Sequence, residues 1–180
     1  MSNILVITTS LRAKSNSDIL AEQMVRGAKA SGHHVETISL KGKDIRFCRG
    51  CLACQKTEKC VIADDAAEIA EKVKNADALV FVTPIYYYGM SGQMKTLLDR
   101  LNPLYPSDYR FRRVYMLAVA TEAEDYVPEK AIAGLQGWVD CFEKAAFAGH
   151  LFCGGISDSG EAARHEDALS EAYAFGTGLR

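Results

Sequence analysis

Three consecutive tyrosines follow a proline in the segment Thr83–Lys95. The apolar run before it, residues 78–82, is typical of a short buried strand. After it, apolar side chains recur at the i, i+3, i+4, i+7 spacing of a helix face. The tyrosines are therefore predicted at a strand tip, where Pro84 stiffens the chain and Gly89 lets another molecule approach the backbone. Flat rings and hydroxyls in that position suit a planar aromatic ligand. The alternative is a tyrosine-rich loop that packs only on its own neighbours.

A second chemically suited stretch is the hydroxyl-rich loop after the first apolar run, residues 4–7. Free backbone N–H groups at a helix start, together with hydroxyls and one guanidinium, form a site for a single phosphate. Helix capping alone would explain one of these side chains and leave the others unexplained. The candidate phosphate-binding residues are Ser10, Arg12, Ser15, Asn16 and Ser17.

One phosphate site and one flat-ring site together describe a mononucleotide with a large aromatic head. FMN fits this description better than ATP, because no Mg²⁺-binding acidic residue is evident near the phosphate loop. The glycine patterns of dinucleotide-binding folds and of P-loops are absent. An acidic cluster of the response-regulator kind is also absent after the first strand, where Thr8, Thr9 and Ser10 stand.

Four cysteines, Cys48, Cys51, Cys54 and Cys60, give the spacing C-x2-C-x2-C-x5-C. Thiolates so closely spaced can surround one iron–sulfur cluster. The alternatives are four reduced thiols that pack over a flavin or a subunit interface, a structural zinc site, or a Cys51–Cys60 disulfide. The other two, Cys141 and Cys153, are predicted to be small buried apolar residues.

Strands and helices alternate along the chain, which predicts parallel pairing with helices on both faces of one sheet. Ligands of such α/β sheets bind at the carboxyl ends of the strands, so the loops after the first, third and fourth strands are the candidate site. The predicted strands span residues 4–7, 34–40, 78–82, 114–120 and 151–156. The predicted helices cover about 17–30, from 64 onward, from 94 onward, 129–146 and 161–175, and a long loop covers 41–63.

Both motifs resemble those of the flavodoxin-like NAD(P)H-dependent FMN reductases. The first, Thr9-Ser10-Leu11-Arg12 with Asn16-Ser17, is similar to the family's phosphate loop, although Thr9 stands where the family usually has glycine. The second, Thr83–Lys95 followed by Asp99-Arg100, is similar to the family's flavin-ring segment. The cysteine loop resembles that of the iron–sulfur flavoprotein subset.

The resemblance implies a single flavodoxin-like domain over residues 1–180, with a doubly wound five-stranded parallel sheet of order 2-1-3-4-5. It also implies FMN phosphate contacts from the loop after the first strand, and a 4Fe-4S cluster if the four cysteines ligate one. The residues expected at or beside the isoalloxazine ring are Pro84, Ile85, Tyr86, Tyr87, Gly89, Met90, Ser91 and Thr121.

The expected function is that of a cytoplasmic flavin oxidoreductase, in which NAD(P)H reduces FMN and an acceptor is reduced in turn. The acceptor is a quinone, an azo or nitro compound, a free flavin, or iron, and no catalytic side chain is predicted. The resemblance implies a homodimer or homotetramer. Two alternatives are an electron-transfer protein that holds FMN, with or without a 4Fe-4S cluster, and a flavodoxin-like protein that has lost its flavin.

Composition narrows the class of partner. The 180 residues carry a net charge of -2, which gives no electrostatic support for a nucleic-acid partner or an anionic membrane surface. The chain starts without a basic segment followed by an apolar stretch, and no apolar run is long enough to cross a bilayer.

Overall fold

Five parallel strands form the sheet of the computed structural model, which describes residues 1–180. The strands are β1 (Asn3–Thr8), β2 (His34–Ser39), β3 (Ala78–Tyr86), β5 (Arg113–Val119) and β6 (Ala146–Cys153), and a two-residue strand β4 (Gly89–Met90) pairs antiparallel with β3. The helices are α1 (Asn16–Ala30), α2 (Cys54–Thr57), α3 (Asp65–Asn75), α4 (Gly92–Arg100), α5 (Glu129–Val139) and α6 (Glu166–Thr177). Short 3₁₀ turns occupy Asn102–Leu104 and Glu161–Arg164.

The strand order is β2-β1-β3-β5-β6. Counting only the five parallel strands in chain order, this is 2-1-3-4-5, so the predicted doubly wound sheet is confirmed. The order reverses beside β1, and Thr8 of β1 pairs with Val82 of β3. The loops that follow these two neighbouring strands therefore leave the sheet at the same edge.

Side chains that alternate along the central strands enter two separate cores. Leu5 and Ile7 of β1 and Phe81 of β3 pack under α3, α4 and α5. Ile4, Val6 and Val80 pack under α1 and α6 on the opposite face. Because both faces are covered, β1, β3 and β5 each contain a continuous run of buried, mostly apolar residues, whereas the edge strand β2 is largely exposed.

Several predicted boundaries and one predicted loop are wrong. The helix expected over 129–146 ends at Val139, and β6 starts at Ala146, five residues before its predicted start. The helical spacing misleads here because Phe142 lies beyond the helix yet packs on Trp138 in the same core, with ring centroids 4.6 Å apart. The segment expected as a loop over 41–63 contains the one-turn helix α2, and the tyrosine loop is a hairpin.

The two isolated cysteines behave differently from each other. Cys153 is buried, as predicted, and its burial raises the pKa of the thiol to about 12. Cys141 is exposed, so the prediction of a buried residue is wrong. The chain leaves α5 just before Cys141, which removes it from the helix face on which the prediction rested.

Candidate functional site at the carboxyl edge of the sheet

The loop from β1 to α1 presents unpaired backbone donors around the helix start. Ser15 caps α1, and its hydroxyl accepts the N–H of Asp18 at 3.3 Å. The backbone N–H groups of Ala13, Lys14 and Ser17 have no acceptor within the protein. Since the Ser10, Ser15 and Ser17 side chains are buried along the same turn, the loop forms a polar seat for an anion.

Two predicted phosphate-binding side chains hold a neighbouring loop. The guanidinium of Arg12 donates to the carbonyl of Ser157 at 2.7 Å. The amide of Asn16 donates to the carbonyl of Asp158 at 2.8 Å and accepts the N–H of Ala162 at 3.1 Å. Both ends of the Asn16 amide are therefore engaged in anchoring the segment between β6 and α6, and Asn16 supports the anion seat from behind.

Thr9 joins the anion seat to the tyrosine segment. Its backbone N–H and its hydroxyl both donate to the carbonyl of Val82, at 3.0 Å and 2.9 Å. The Thr9 hydroxyl also lies 2.9 Å from that of Ser91. Ser91 in turn caps α4 by accepting the N–H of Met94, and its own N–H donates to the Thr83 hydroxyl. The two predicted sites are therefore parts of one hydrogen-bonded edge.

This role for Thr9 was not predicted, although its departure from the family's usual glycine is the signal that could have indicated it. Thr9 and Ser91 are both fully buried. The Ser91 hydroxyl, predicted beside the flavin ring, caps α4 and contacts the Thr9 hydroxyl.

The tyrosine segment is a tight hairpin whose two turn residues, Tyr87 and Tyr88, have φ angles of 50° and 63°. Gly and Asn adopt such left-handed angles most readily. For any other residue type the conformation costs about 1–3 kcal/mol of conformational free energy. Tyr88 is held by its hydroxyl, which donates to Glu122 at 2.9 Å. That hydrogen bond raises the pKa of Tyr88, because it stabilises the protonated phenol. The hairpin leaves Tyr87 fully exposed to solvent.

A cavity of about 370 Å³ lies between this hairpin and the loop after β5. The Thr121 hydroxyl donates to that of Ser157 at 3.3 Å, and Ser157 also holds Arg12, so the third candidate loop is linked to the first. Gly154 fixes the loop after β5 from below, since a Cβ there would lie 2.5 Å from the Glu122 carbonyl oxygen. The cavity is lined by Ile85, Tyr86, Tyr87, Tyr88, Ala120, Thr121, Glu122 and Val127.

The four clustered cysteines line one cavity of about 20 Å³, which has room for about one water molecule. Cys54 is buried, Cys60 is half-buried, and Cys48 and Cys51 are exposed. All four are free thiols, so the disulfide alternative is not formed. No group of three or more His, Cys, Asp or Glu side chains is close enough to hold a single ion, so the loop would have to rearrange to bind either a zinc ion or a cluster.

A buried ion pair anchors the cysteine loop to the end of α4. Arg100 is 1% exposed and donates to both carboxylate oxygens of Asp64, at 2.6 and 2.9 Å. It also donates to the carbonyl of Arg46 at 2.7 Å. Burial alone would raise the pKa of Asp64, but the hydrogen bonds from Arg100 and from the Arg46 N–H outweigh it, so this pKa lies below its ordinary value. The same hydrogen bond to Asp64 raises the pKa of Arg100, because it stabilises the charged guanidinium.

Comparison with known proteins identifies the family. The sequence profile of the NADPH-dependent FMN reductase family matches residues 2–136, well over half of the chain. The chain belongs to this family, as its two motifs predicted.

Individual relatives carry related names. An iron-sulfur flavoprotein of Methanocaldococcus jannaschii is 37% identical over 101 residues, which cover 56% of this chain and 52% of that protein. An iron-sulfur flavoprotein of Methanosarcina thermophila is 26% identical over 84% of this chain and 80% of its own. The chain spans about half the length of the first of these relatives.

The fold is also found in solved structures. The NAD(P)H:quinone oxidoreductase from Methanothermobacter marburgensis superposes with a TM-score of 0.72 over 99% of this chain and 96% of that one, at 18% identity. At this identity the likeness concerns the fold. Separately, none of the helices has both the length and the apolar character that a membrane span requires.

Proposed function

We propose that this protein is an FMN-dependent NAD(P)H oxidoreductase that reduces a quinone, azo, nitro, flavin or iron acceptor. The observation that carries the proposal is the 2.9 Å contact between the Thr9 and Ser91 hydroxyls. It links the loop after β1, which we propose to hold one phosphate, to the segment after β3, whose tyrosines line the cavity. Membership of the NADPH-dependent FMN reductase family supports the same conclusion.

The residues present fit FMN. The unpaired N–H groups of Ala13, Lys14 and Ser17 and the hydroxyls of Ser10 and Ser17 would hold the phosphate, with Arg12 nearby as the cation. Pro84, Tyr86, Gly89, Met90 and Thr121 are the side chains and backbone proposed to lie beside the ring.

When bound, FMN would supply the redox chemistry, namely hydride acceptance from NAD(P)H and electron transfer to the acceptor. The protein's own part is to bind and to orient. The Thr9–Val82 and Thr9–Ser91 hydrogen bonds fix the distance between phosphate seat and cavity, and the Tyr88–Glu122 hydrogen bond fixes one cavity wall. Tyr86 and Tyr87 are exposed, and their rings offer flat surfaces on which a second aromatic molecule can stack.

Anaerobic mixing with NAD(P)H tests this function. The FMN-loaded protein is expected to lose its visible flavin absorbance within seconds, and the absorbance should return when a quinone is added. Free FMN at the same concentration is the control for uncatalysed reduction. A protein whose flavin absorbance persists, while FMN stays bound, would instead be an electron carrier.

The second candidate is an electron-transfer protein that holds FMN and a 4Fe-4S cluster and has no small-molecule substrate. It is favoured by the four cysteines around one cavity and by relatives named iron-sulfur flavoproteins. The donor set fits a cluster in its chemistry, since it consists of four free cysteine sulfurs around one cavity. The cavity is smaller than a cluster, so the exposed part of the loop with Cys48 and Cys51 would have to move outward.

We propose a cytoplasmic homodimer or homotetramer that meets NAD(P)H and a small-molecule or protein acceptor. Exposed apolar side chains on the cysteine loop, Phe47 at 79% and Val61 at 64%, support a covered surface there. A protein that sediments as a monomer at micromolar concentration would contradict the proposed oligomer.

A further inference from the structure

Two hydrogen-bond donors at the end of α4 contact the cysteine sulfurs. The amide nitrogen of Asn102 lies 3.1 Å from Sγ of Cys54 and donates to it. One guanidinium nitrogen of Arg100 lies 3.4 Å from Sγ of Cys60 and donates to it. Residues 100 and 102 are separated by a single position, so one turn of chain serves two of the four thiols.

Both donors are anchored by contacts outside the cysteine sulfurs. Arg100 is fixed by Asp64 and by the carbonyl of Arg46. Asn102 begins the 3₁₀ turn that follows α4, and Leu101 immediately before it is fully buried in the core. The atoms that hold the two donors lie outside the exposed residues Cys48 and Cys51.

The Asn102 side chain forms no other hydrogen bond within the protein. Its side-chain nitrogen donates to Cys54 and to no oxygen atom, and its side-chain oxygen accepts from no donor. An ordinary surface asparagine would direct its amide to water or to backbone carbonyls. Here Asn102 is half-buried and its amide donates to a sulfur. Such an outer-shell hydrogen bond is what orients a thiolate that ligates a metal.

We propose that Arg100 and Asn102 are positioning residues for an iron–sulfur cluster, holding the Cys60 and Cys54 sulfurs and setting the reduction potential. This inference rests on the cluster of the second candidate function. Hydrogen bonds to ligating sulfurs stabilise the more negative, reduced state of a cluster, so these donors raise its potential. The positive guanidinium acts in the same direction.

Spectroelectrochemical titration of anaerobically purified protein tests the inference. Asn102→Leu removes the donor with little change of volume and is expected to lower the midpoint potential of the cluster. Asn102→Asp, which places a carboxylate near the sulfur, is expected to lower it further. A chelator should also remove iron from Asn102→Leu at an about 10-fold lower concentration, because loss of an outer-shell partner of a metal ligand typically weakens metal affinity by about 10- to 100-fold.

The matched control is Asn75→Leu, since the Asn75 amide donates only to the carbonyl of Glu71. Its potential and iron release should equal those of the wild type. A potential unchanged in both Asn102 variants would overturn the positioning role even if the wild type holds a full cluster. A wild-type protein that binds FMN but no iron after anaerobic purification would overturn the cluster and this inference together, and would leave the reductase to be decided by the NAD(P)H experiment.

Discussion

Replacing Arg100 with leucine is expected to lower the free energy of unfolding by about 3–5 kcal/mol, as is typical when one partner of a buried ion pair is removed. Both side chains of the Arg100–Asp64 pair are fully shielded from solvent. The substitution leaves the Asp64 carboxylate in the interior without its cation, and it also frees the carbonyl of Arg46. Urea denaturation of the purified variant measures the loss.

Two further variants separate the buried charge from a general effect of losing an arginine. Arg110 pairs with Asp77 at 2.6 Å, but its side chain is 55% exposed, so Arg110→Leu should cost less than about 1 kcal/mol. The double variant Arg100→Leu with Asp64→Leu should recover part of the stability, because no unpaired charge remains. Equal losses in the Arg100 and Arg110 variants would show that Arg100 is not the buried anchor described above.

Lowering the pH should remove the stability that the Arg100–Asp64 pair contributes. The pKa of Asp64 in the folded protein lies below its ordinary value of 3.8, because the hydrogen bonds from Arg100 and Arg46 outweigh burial. Its contribution to stability is therefore fully present above about pH 4 and is lost as the pH falls through the folded pKa. The double variant lacks this carboxylate and should lose less stability than the wild type between pH 4 and pH 2.

Replacing Gly176 with alanine is expected to lower the free energy of unfolding by about 2–4 kcal/mol, through overpacking against backbone. A Cβ at Gly176 in α6 would lie 1.9 Å from the carbonyl oxygen of Met24 in α1. The contact is reciprocal, since a Cβ at Gly27 would lie 2.1 Å from the Tyr173 carbonyl oxygen. The two helices can admit the methyl group only by separating. Thermal unfolding followed by circular dichroism measures the effect.

Gly137 in α5 provides the matched control, because it is exposed and a Cβ there meets nothing within 4 Å. Gly137→Ala should stabilise the protein by about 0.5–1 kcal/mol through the higher helix propensity of alanine. We also expect Gly176→Ala to weaken FMN binding, since α1 carries the anion seat at its first turn. Equal unfolding temperatures for the two variants would contradict the close approach of α1 and α6.

The sequence contains enough to predict the sheet and to propose which of its edges binds a ligand. Uninterrupted apolar runs in β1, β3 and β5 indicate strands covered on both faces, and the polar and aromatic segments directly after two of them place the site. Both predictions depend on short-range patterns, which a single sequence retains. The family resemblance follows from those same segments.

Other features depend on contacts between distant residues and leave little trace in a local pattern. Thr9 forms a hydrogen bond with Ser91, 82 positions away, and Asn16 donates to Asp158, 142 positions further along. The left-handed angles of Tyr87 and Tyr88 contradict the ordinary preference of tyrosine, because pairing of β3 with β4 and the contact with Glu122 override it. Arg100 lies at the end of α4, and no residue near it in the sequence indicates that it is buried in an ion pair with Asp64.

Hydrogen exchange with and without FMN, followed by mass spectrometry, tests most directly whether the anion seat and the tyrosine hairpin form one flavin site. One equivalent of FMN should slow exchange in three segments together: residues 10–17, 84–91 and 120–123. Riboflavin, which lacks the phosphate, should bind more weakly and leave exchange in 10–17 unchanged. Protection of the first segment without the hairpin, or FMN binding that protects neither, would contradict the shared site.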